Sequence, residues 1–346
     1  MSGRFDRLTP YTPGEQPVDK QYIKLNTNES PFPPSDKAIA AAEAELRTLQ
    51  LYPDPTCGKL RAALAERYGV TPDGVMVTNG SDEALSFAFM AYGDGGVAYP
   101  DITYGFYRVF ADLYGLDAVE IPLREDFTID VEDYKGLGRS IFIANPNAPT
   151  GIPLTLNEIE AIVAANPHNV VVIDEAYVDF GGDSAVPLTA KYQNLLVVGT
   201  FSKSRSMAGA RLGYAIGCPA LIADLETLRY STNPYNVNRM TLAAGLGQLA
   251  DEETTRRNCQ TIMENREYTA AALTAMGFSV IPSRANFLFA TCPHIGGEDL
   301  YRQLKERGIL VRHFGTQRLT DYNRITIGNR EQMEALLRAV QSILEE

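Results

Sequence analysis

Between residues 75 and 217 the chain alternates short, almost wholly apolar runs with stretches of helical spacing. Residues 75–78, 96–99, 118–122, 140–144, 170–173, 195–198 and 213–217 read as strands, and 81–91 and 157–165 as helices. Apolar runs this continuous suit a sheet covered on both faces, because a strand with one wet face would alternate polar and apolar residues. Upstream, residues 35–49 form an alanine-rich helical stretch with Ser35 as its N-cap, and 60–68 form a second. Residues 1–35 are rich in Pro, Asn and Thr and read as an irregular arm. Beyond residue 218 the pattern turns helical over 221–276, with a break at Asn233-Pro234-Tyr235-Asn236. Strands at 286–290 and 324–327 and helices at 297–307 and 331–345 then complete the chain. The pattern predicts an α/β chain in three parts: an arm (1–35) joining the small domain, a large domain (36–255) with a mostly parallel sheet covered by helices, and a smaller α+β domain (256–346).

The length of 346 residues, 45% of them hydrophobic, is enough for a large core and more than one domain. The net charge of −12, without a long basic cluster, argues against nucleic acid or an anionic membrane as partner. No apolar run approaches the roughly 18 residues of a membrane helix, and the first residues do not read as a secretory signal. Cys57, Cys218, Cys259 and Cys292 lie far apart and fit free thiols in a reducing, cytoplasmic setting. His168, His294 and His313 show no zinc-ligand spacing, which argues against a metal hydrolase.

In open α/β sheets ligands bind beyond the carboxyl ends of the strands. Four polar clusters fall there: Asn79-Gly80-Ser81-Asp82, Asn145-Pro146-Asn147, Asp174-Glu175-Ala176-Tyr177 and Ser202-Lys203. Lys203 follows an apolar run. Burial there, beside Arg205 and Arg211, would favour its neutral, nucleophilic amine. The two arginines and the nearby serines could hold a phosphate, although Ser-Lys-Ser alone also fits a basic surface loop. A carbonyl-reactive lysine beside a phosphate site describes pyridoxal phosphate. Asp174 follows four β-branched residues and would need a positive partner once desolvated, such as a protonated pyridine nitrogen; a strand-end turn cap is the plainer alternative. The start of the helix after Asn79 could bind an anion, or Ser81 or Asp82 could simply cap it. Tyr104 could stack on a flat ring or pack in the core, and Tyr177, one of 18 tyrosines, could donate to a phenolic oxygen or pack as well.

The segments Asn145-Pro146-Asn147-Ala148-Pro149-Thr150-Gly151, Asp174-Glu175-Ala176-Tyr177 and Ser202-Lys203 with Arg211 resemble the fold type I, pyridoxal 5'-phosphate-dependent aminotransferases in order and spacing over most of the chain. Leu25-Asn26-Thr27-Asn28-Glu29-Ser30-Pro31-Phe32, Tyr52-Pro53-Asp54-Pro55 and Asn323-Arg324-Ile325-Thr326-Ile327-Gly328 are similar to the histidinol-phosphate aminotransferase subgroup. The resemblance implies a seven-stranded sheet and a homodimer with shared sites. It implies that Lys203 forms the Schiff base and shuttles a proton, that Asp174 pairs with the pyridine nitrogen, and that Tyr177 meets the phenolic oxygen. Tyr104 would stack on the ring, while Gly80, Ser81, Asp82, Ser202 and Arg211 would hold the phosphate, joined by Tyr52 from the neighbouring subunit. Arg324 would grip the substrate anion with Arg312 as its companion, and Tyr11, Asn28 and Glu29 would line the imidazole end. At one position the chain departs: the family's asparagine before Pro-Thr-Gly is Ala148 here, and Asn147 is the neighbouring candidate for its role.

The reaction so implied is transamination of histidinol phosphate with 2-oxoglutarate, in histidine biosynthesis. An aromatic amino-acid aminotransferase and a threonine-phosphate decarboxylase share the scaffold. A cofactor-binding regulatory module is the non-enzymatic alternative, and an intact Lys203, Asp174 and Arg211 speak against it.

Overall fold

The computed structural model describes Phe5 and residues 8–346. Seven strands form one sheet in the spatial order Val75–Thr78, Gly213–Gly217, Leu195–Thr200, Val171–Asp174, Ser140–Ala144, Val97–Pro100, Ala118–Ile121. All seven coincide with the apolar runs of the sequence. Their side chains alternate between two dry cores. Val75, Val77, Ile141, Ile143, Val171 and Ile173 enter one; Met76, Phe142, Val172, Leu196 and Val198 enter the other. The second core is closed by helices Ser81–Tyr92, Phe106–Tyr114 and Pro219–Thr232. Burial on both faces is why six of the strands carry no polar alternation, while the edge strand Ala118–Ile121 is exposed at its first three residues.

One strand runs against the rest. Gly213–Gly217 is antiparallel to both Val75–Thr78 and Leu195–Thr200, and Gly213 stands opposite Thr78 on one side and Thr200 on the other. Its first residue therefore sits at the edge where its neighbours end. The reversal brings Arg211 to the same edge as Gly80 and Lys203. The approach is tight: a Cβ on Gly213 would lie 2.4 Å from the backbone of Gly80 and Ser81.

A four-stranded antiparallel sheet follows, ordered Arg312–His313, Tyr322–Thr326, Phe287–Thr291, Ser279–Ile281, with its own core under helices Gly297–Glu306 and Arg330–Glu345. The arm joins this part, as Ile23–Lys24 pairs in parallel with Ile309–Leu310. Ser35 caps helix Asp36–Glu45 by accepting from the Ala38 N–H at 3.2 Å. The helical region after residue 218 is three helices, Pro219–Thr232, Arg239–Leu249 and Glu252–Ala275. Its second interruption falls at Asp251, whose side chain caps the last of them and accepts from Thr254 N–H. That helix runs through residue 255.

Helix Phe106–Tyr114 has no counterpart among the expected elements. Its aromatic residues carry weak helical propensity, and packing overrides it: Tyr107 and Phe110 are buried against Phe89.

Candidate active site

The carboxyl ends of the strands open into two adjoining cavities of about 250 and 790 Å3. Lys203, Tyr104, Ala148 and Tyr177 line both. Lys203 is half-buried, and its Nζ donates to the Thr27 carbonyl of the arm at 3.3 Å. Burial, with Arg324 nearby, lowers its pKa to about 8, so a far larger fraction of the amine is neutral at physiological pH than for a free lysine, though the charged form still predominates.

Asp174 closes the smaller cavity from the sheet side. It ends strand Val171–Asp174 and is 4% exposed. Among the described residues its oxygens accept from the Tyr107 hydroxyl at 3.1 Å and the Ala176 N–H at 3.2 Å, and no cation pairs with it. Burial therefore pushes its pKa up to about 7. A buried carboxyl group with donors but no cation leaves room for a protonated ring nitrogen.

The opposite end of this cavity suits an anion. Gly80 is the N-cap of helix Ser81–Tyr92, and no side chain caps the first turn. Its φ of +75° favours glycine, and a Cβ there would meet Arg211 Nη2 at 2.6 Å. Arg211 Nη2 pairs with Asp82 Oδ2 at 3.0 Å, while Asp82 Oδ1 accepts from the Tyr104 hydroxyl at 2.7 Å. Ser81, Ser202 and Thr200 complete this end, with the Ser202 hydroxyl accepting from Thr200 Oγ1 at 3.0 Å. Free helix N–H groups beside a guanidinium and hydroxyls are a phosphate cradle. Pyridoxal phosphate, with a ring nitrogen at one end and a phosphate at the other, fits these residues.

The larger cavity holds the paired arginines. Arg312 stands opposite Arg324 across adjacent strands. Arg324 Nη2 donates to the Asn26 carbonyl at 3.0 Å, while its buried Nε has no partner among the described residues. Arg312 reaches the Pro13 and Thr12 carbonyls at 3.3 Å each. Tyr11 stacks on Phe106 with ring centroids 4.4 Å apart.

Several expected placements do not hold. Arg205 is 1% exposed and turns away from both cavities to pair with Glu252 at 2.6 Å. Ser204 likewise donates to Asp179, and Ser206 to Ser30. They fasten the loop that carries Lys203, so of the two loop arginines Arg211 alone faces the cradle. Asn147 lies outside both cavities. Its Oδ1 accepts from Thr103 at 2.8 Å, and its Nδ2 donates to the Ile102 carbonyl at 2.9 Å and to Thr150 at 3.3 Å. Its amide ties two loops together and leaves no donor for a cofactor. Glu29 borders the smaller cavity rather than the arginine-lined one, paired with Lys24 at 2.8 Å. Asn28 does line the larger cavity with Tyr11, but it is 1% exposed and its side chain is bonded to Tyr177 and Thr326. Tyr52, expected to serve the neighbouring subunit's site, is 76% exposed and stacked on Tyr235 outside both cavities of its own chain. Tyr107 was not among the expected residues. Without helix Phe106–Tyr114 nothing marks its face, though Tyr107 follows Tyr104 at helical spacing and the two rings meet edge to face.

The family described as aminotransferase class I and II matches residues 20–340. The chain is 52% identical to a histidinol-phosphate aminotransferase of a Marinomonas species over 97% of each chain. It is 48% identical to one of Brachyspira hyodysenteriae over 100% of this chain and 99% of that one. A solved structure of the Sinorhizobium meliloti histidinol-phosphate aminotransferase in complex with pyridoxal 5'-phosphate superimposes with a TM-score of 0.85. The superposition covers 94% of this chain and 92% of the other, at 23% identity, which is a likeness of fold.

Proposed function

The chain belongs to the class I and II aminotransferases, and from that premise we propose that it transfers the amino group of histidinol phosphate to 2-oxoglutarate, giving imidazole acetol phosphate and glutamate in histidine biosynthesis. Its cofactor is pyridoxal 5'-phosphate, as in the rest of the family. The observation that carries this reading is the position of Lys203, which borders both the cavity with the phosphate cradle and the cavity with the paired arginines.

Bound in the smaller cavity, the cofactor supplies a carbonyl for the amine and a protonated ring that withdraws electrons from the reacting carbon. Lys203 Nζ would tether it and, as a neutral amine, would take the proton from the substrate carbon that bears the amino group. Asp174 stabilises the ring's positive charge, and its burial without a cationic partner supports that role. Gly80, Ser81, Ser202 and Arg211 hold the phosphate, with Asp82 orienting Arg211 and Tyr104 together. Tyr104 would lie against the ring and Tyr177 would donate to its phenolic oxygen. Arg324 and Arg312 receive the substrate's anion; a guanidinium fork accepts phosphate and carboxylate alike, which an enzyme with two different anionic substrates requires.

The test is a half-reaction. The holoprotein is mixed with a single amine and no oxo acid, and the change in cofactor absorbance is timed. Histidinol phosphate is expected to react at least about a hundredfold faster than phenylalanine, tyrosine or threonine phosphate, a conservative floor beside the roughly ten-thousandfold by which a hydrogen-bonding site rejects an analogue lacking its partner group. A faster reaction with another amine moves the substrate assignment to that compound. A decarboxylated product from threonine phosphate would move the reaction class as well.

The same reading takes the protein as a cytoplasmic homodimer with an arm, a large and a small domain meeting near residues 35 and 255. Four free, buried cysteines support a reducing compartment. Leu46, Leu49, Leu51, Tyr52, Tyr230 and Tyr235 form an exposed apolar set that suits a self-complementary interface. Tyr52 would reach the phosphate end of the partner's site. Random mixing of inactive Lys203→Ala and Tyr52→Phe chains would then place one intact site in every mixed dimer. About a quarter of wild-type activity should return, from the statistics of pairing. Absence of recovery counts against shared sites.

A further inference from the structure

A hydroxyl carries one proton and can also accept. Which of its neighbours receives the Tyr177 proton is therefore set by which of them donates to its oxygen. That neighbour is Asn28, whose Nδ2 donates to Tyr177 Oη at 3.0 Å. The orientation of the Asn28 amide is fixed from behind. Thr326 Oγ1 accepts from the Asn28 backbone N–H at 3.0 Å, so its own proton goes to Asn28 Oδ1, also at 3.0 Å. With the carbonyl end occupied by Thr326, the NH2 end must face Tyr177. The Asn28 backbone is held too, at a φ of +56°, with its carbonyl accepting from Asn286 Nδ2 at 3.0 Å. Asparagine tolerates that left-handed conformation better than most residues.

The position before Pro149, where the family carries an asparagine, offers the cavity beside Tyr177 no second amide donor. Ala148 lines it, and the Asn147 amide is engaged by Ile102, Thr103 and Thr150. We propose that Asn28 is a positioning residue for Tyr177: by donating to the tyrosine oxygen it leaves the tyrosine proton to be given into the cavity, to the phenolic oxygen of the bound cofactor. This rests on Lys203 being the cofactor's tether. Thr326 ends one strand of the small sheet and Asn286 immediately precedes another, so the direction of that donor is set by the contact of arm and small domain, not by the large domain that carries Tyr177.

The test is the pH titration of the visible absorbance of the lysine-bound cofactor. A donor to the phenolic oxygen stabilises its anionic form and so lowers the pKa of the adjoining imine; misdirecting the donor raises it. Asn28→Gly keeps the left-handed backbone and deletes the amide. It should raise the titration midpoint by about one pH unit, a tenfold change in proton affinity. In a Tyr177→Phe background the same substitution should leave the midpoint where Tyr177→Phe alone puts it. Asn28→Asp keeps the size of the residue but would draw the tyrosine proton outward, so its upward shift should be larger with Tyr177 present than without. Equal shifts in both backgrounds, or no shift with Tyr177 present, overturn the proposal, because a merely structural loss would not depend on the tyrosine hydroxyl. A wild-type chain without lysine-bound absorbance overturns the functional reading itself, and so the two failures are told apart.

Discussion

Lys203→Ala is expected to lower turnover by about a hundredfold to ten-thousandfold or more, the range general acid–base catalysis by one side chain commonly supplies, and to abolish the covalent cofactor absorbance. Alanine removes both the amine that captures the carbonyl and the base that moves the proton, and no other lysine borders either cavity. Replacement should cost little stability, since Lys203 makes one long hydrogen bond, to the Thr27 carbonyl. The pH dependence sharpens the test. The reactive species is the neutral amine, and burial with Arg324 nearby lowers the pKa to about 8. Capture of pyridoxal phosphate by the apoprotein should therefore accelerate as pH rises and level off above about 8, not near the ordinary lysine value. Arg324→Ala removes a positive neighbour and should move that midpoint upward. Wild-type turnover in Lys203→Ala, or a capture midpoint above 10 in the wild type, would sink the assignment.

Asp174→Asn should reduce turnover by roughly a hundredfold to a few thousandfold, because losing one partner of a buried charge pair costs about 3–5 kcal/mol and each 1.4 kcal/mol is about tenfold. The amide fits the space but carries no charge to stabilise the protonated ring. In the apoprotein the same substitution should act the opposite way. The folded-state pKa of Asp174 is raised from 3.8 to about 7, chiefly by burial. Between those values the folded chain keeps a proton that the unfolded chain has released, so stability falls as pH rises through this window and levels off above it. Tyr107, Asp82 and Lys203 face the group, and their net effect leaves the shift upward. Apo Asp174→Asn lacks this loss. Its melting temperature relative to wild type should thus be more favourable at pH 8 than at pH 4.5. A difference that does not change with pH would refute the linkage, and wild-type turnover would refute the catalytic role. The native carboxylate destabilises the empty fold in the service of the loaded one, a common trade at active sites.

The strand ends were legible in the sequence because their signal is local. Val171–Asp174 is three apolar residues and a carboxylate, and Leu195–Thr200 leads within three residues to Lys203. A polar residue after a dry strand can only project from the end of the sheet, so Asp174 and Lys203 could be named from order and spacing. The opening of helix Ser81–Tyr92 was visible on the same grounds, although its cap is Gly80 rather than a side chain.

What the sequence by itself determined was therefore the layered α/β scaffold, its seven strands and the reactive residues at their ends, since hydrophobic periodicity and strand termini are properties of neighbouring positions. Tertiary structure alone decided which polar groups meet. The reversed strand delivers Arg211 to Gly80, while Arg205, six residues earlier in the chain, is taken by Glu252. Thr103 and Ile102 claim Asn147, Tyr107 reaches Asp174 from a helix its composition did not announce, and Asn28 crosses from the arm to Tyr177. A buried donor or acceptor must find a partner, and that partner is chosen by which distant segments the fold brings within 3 Å or so of it, a distance along space that no spacing along the chain encodes.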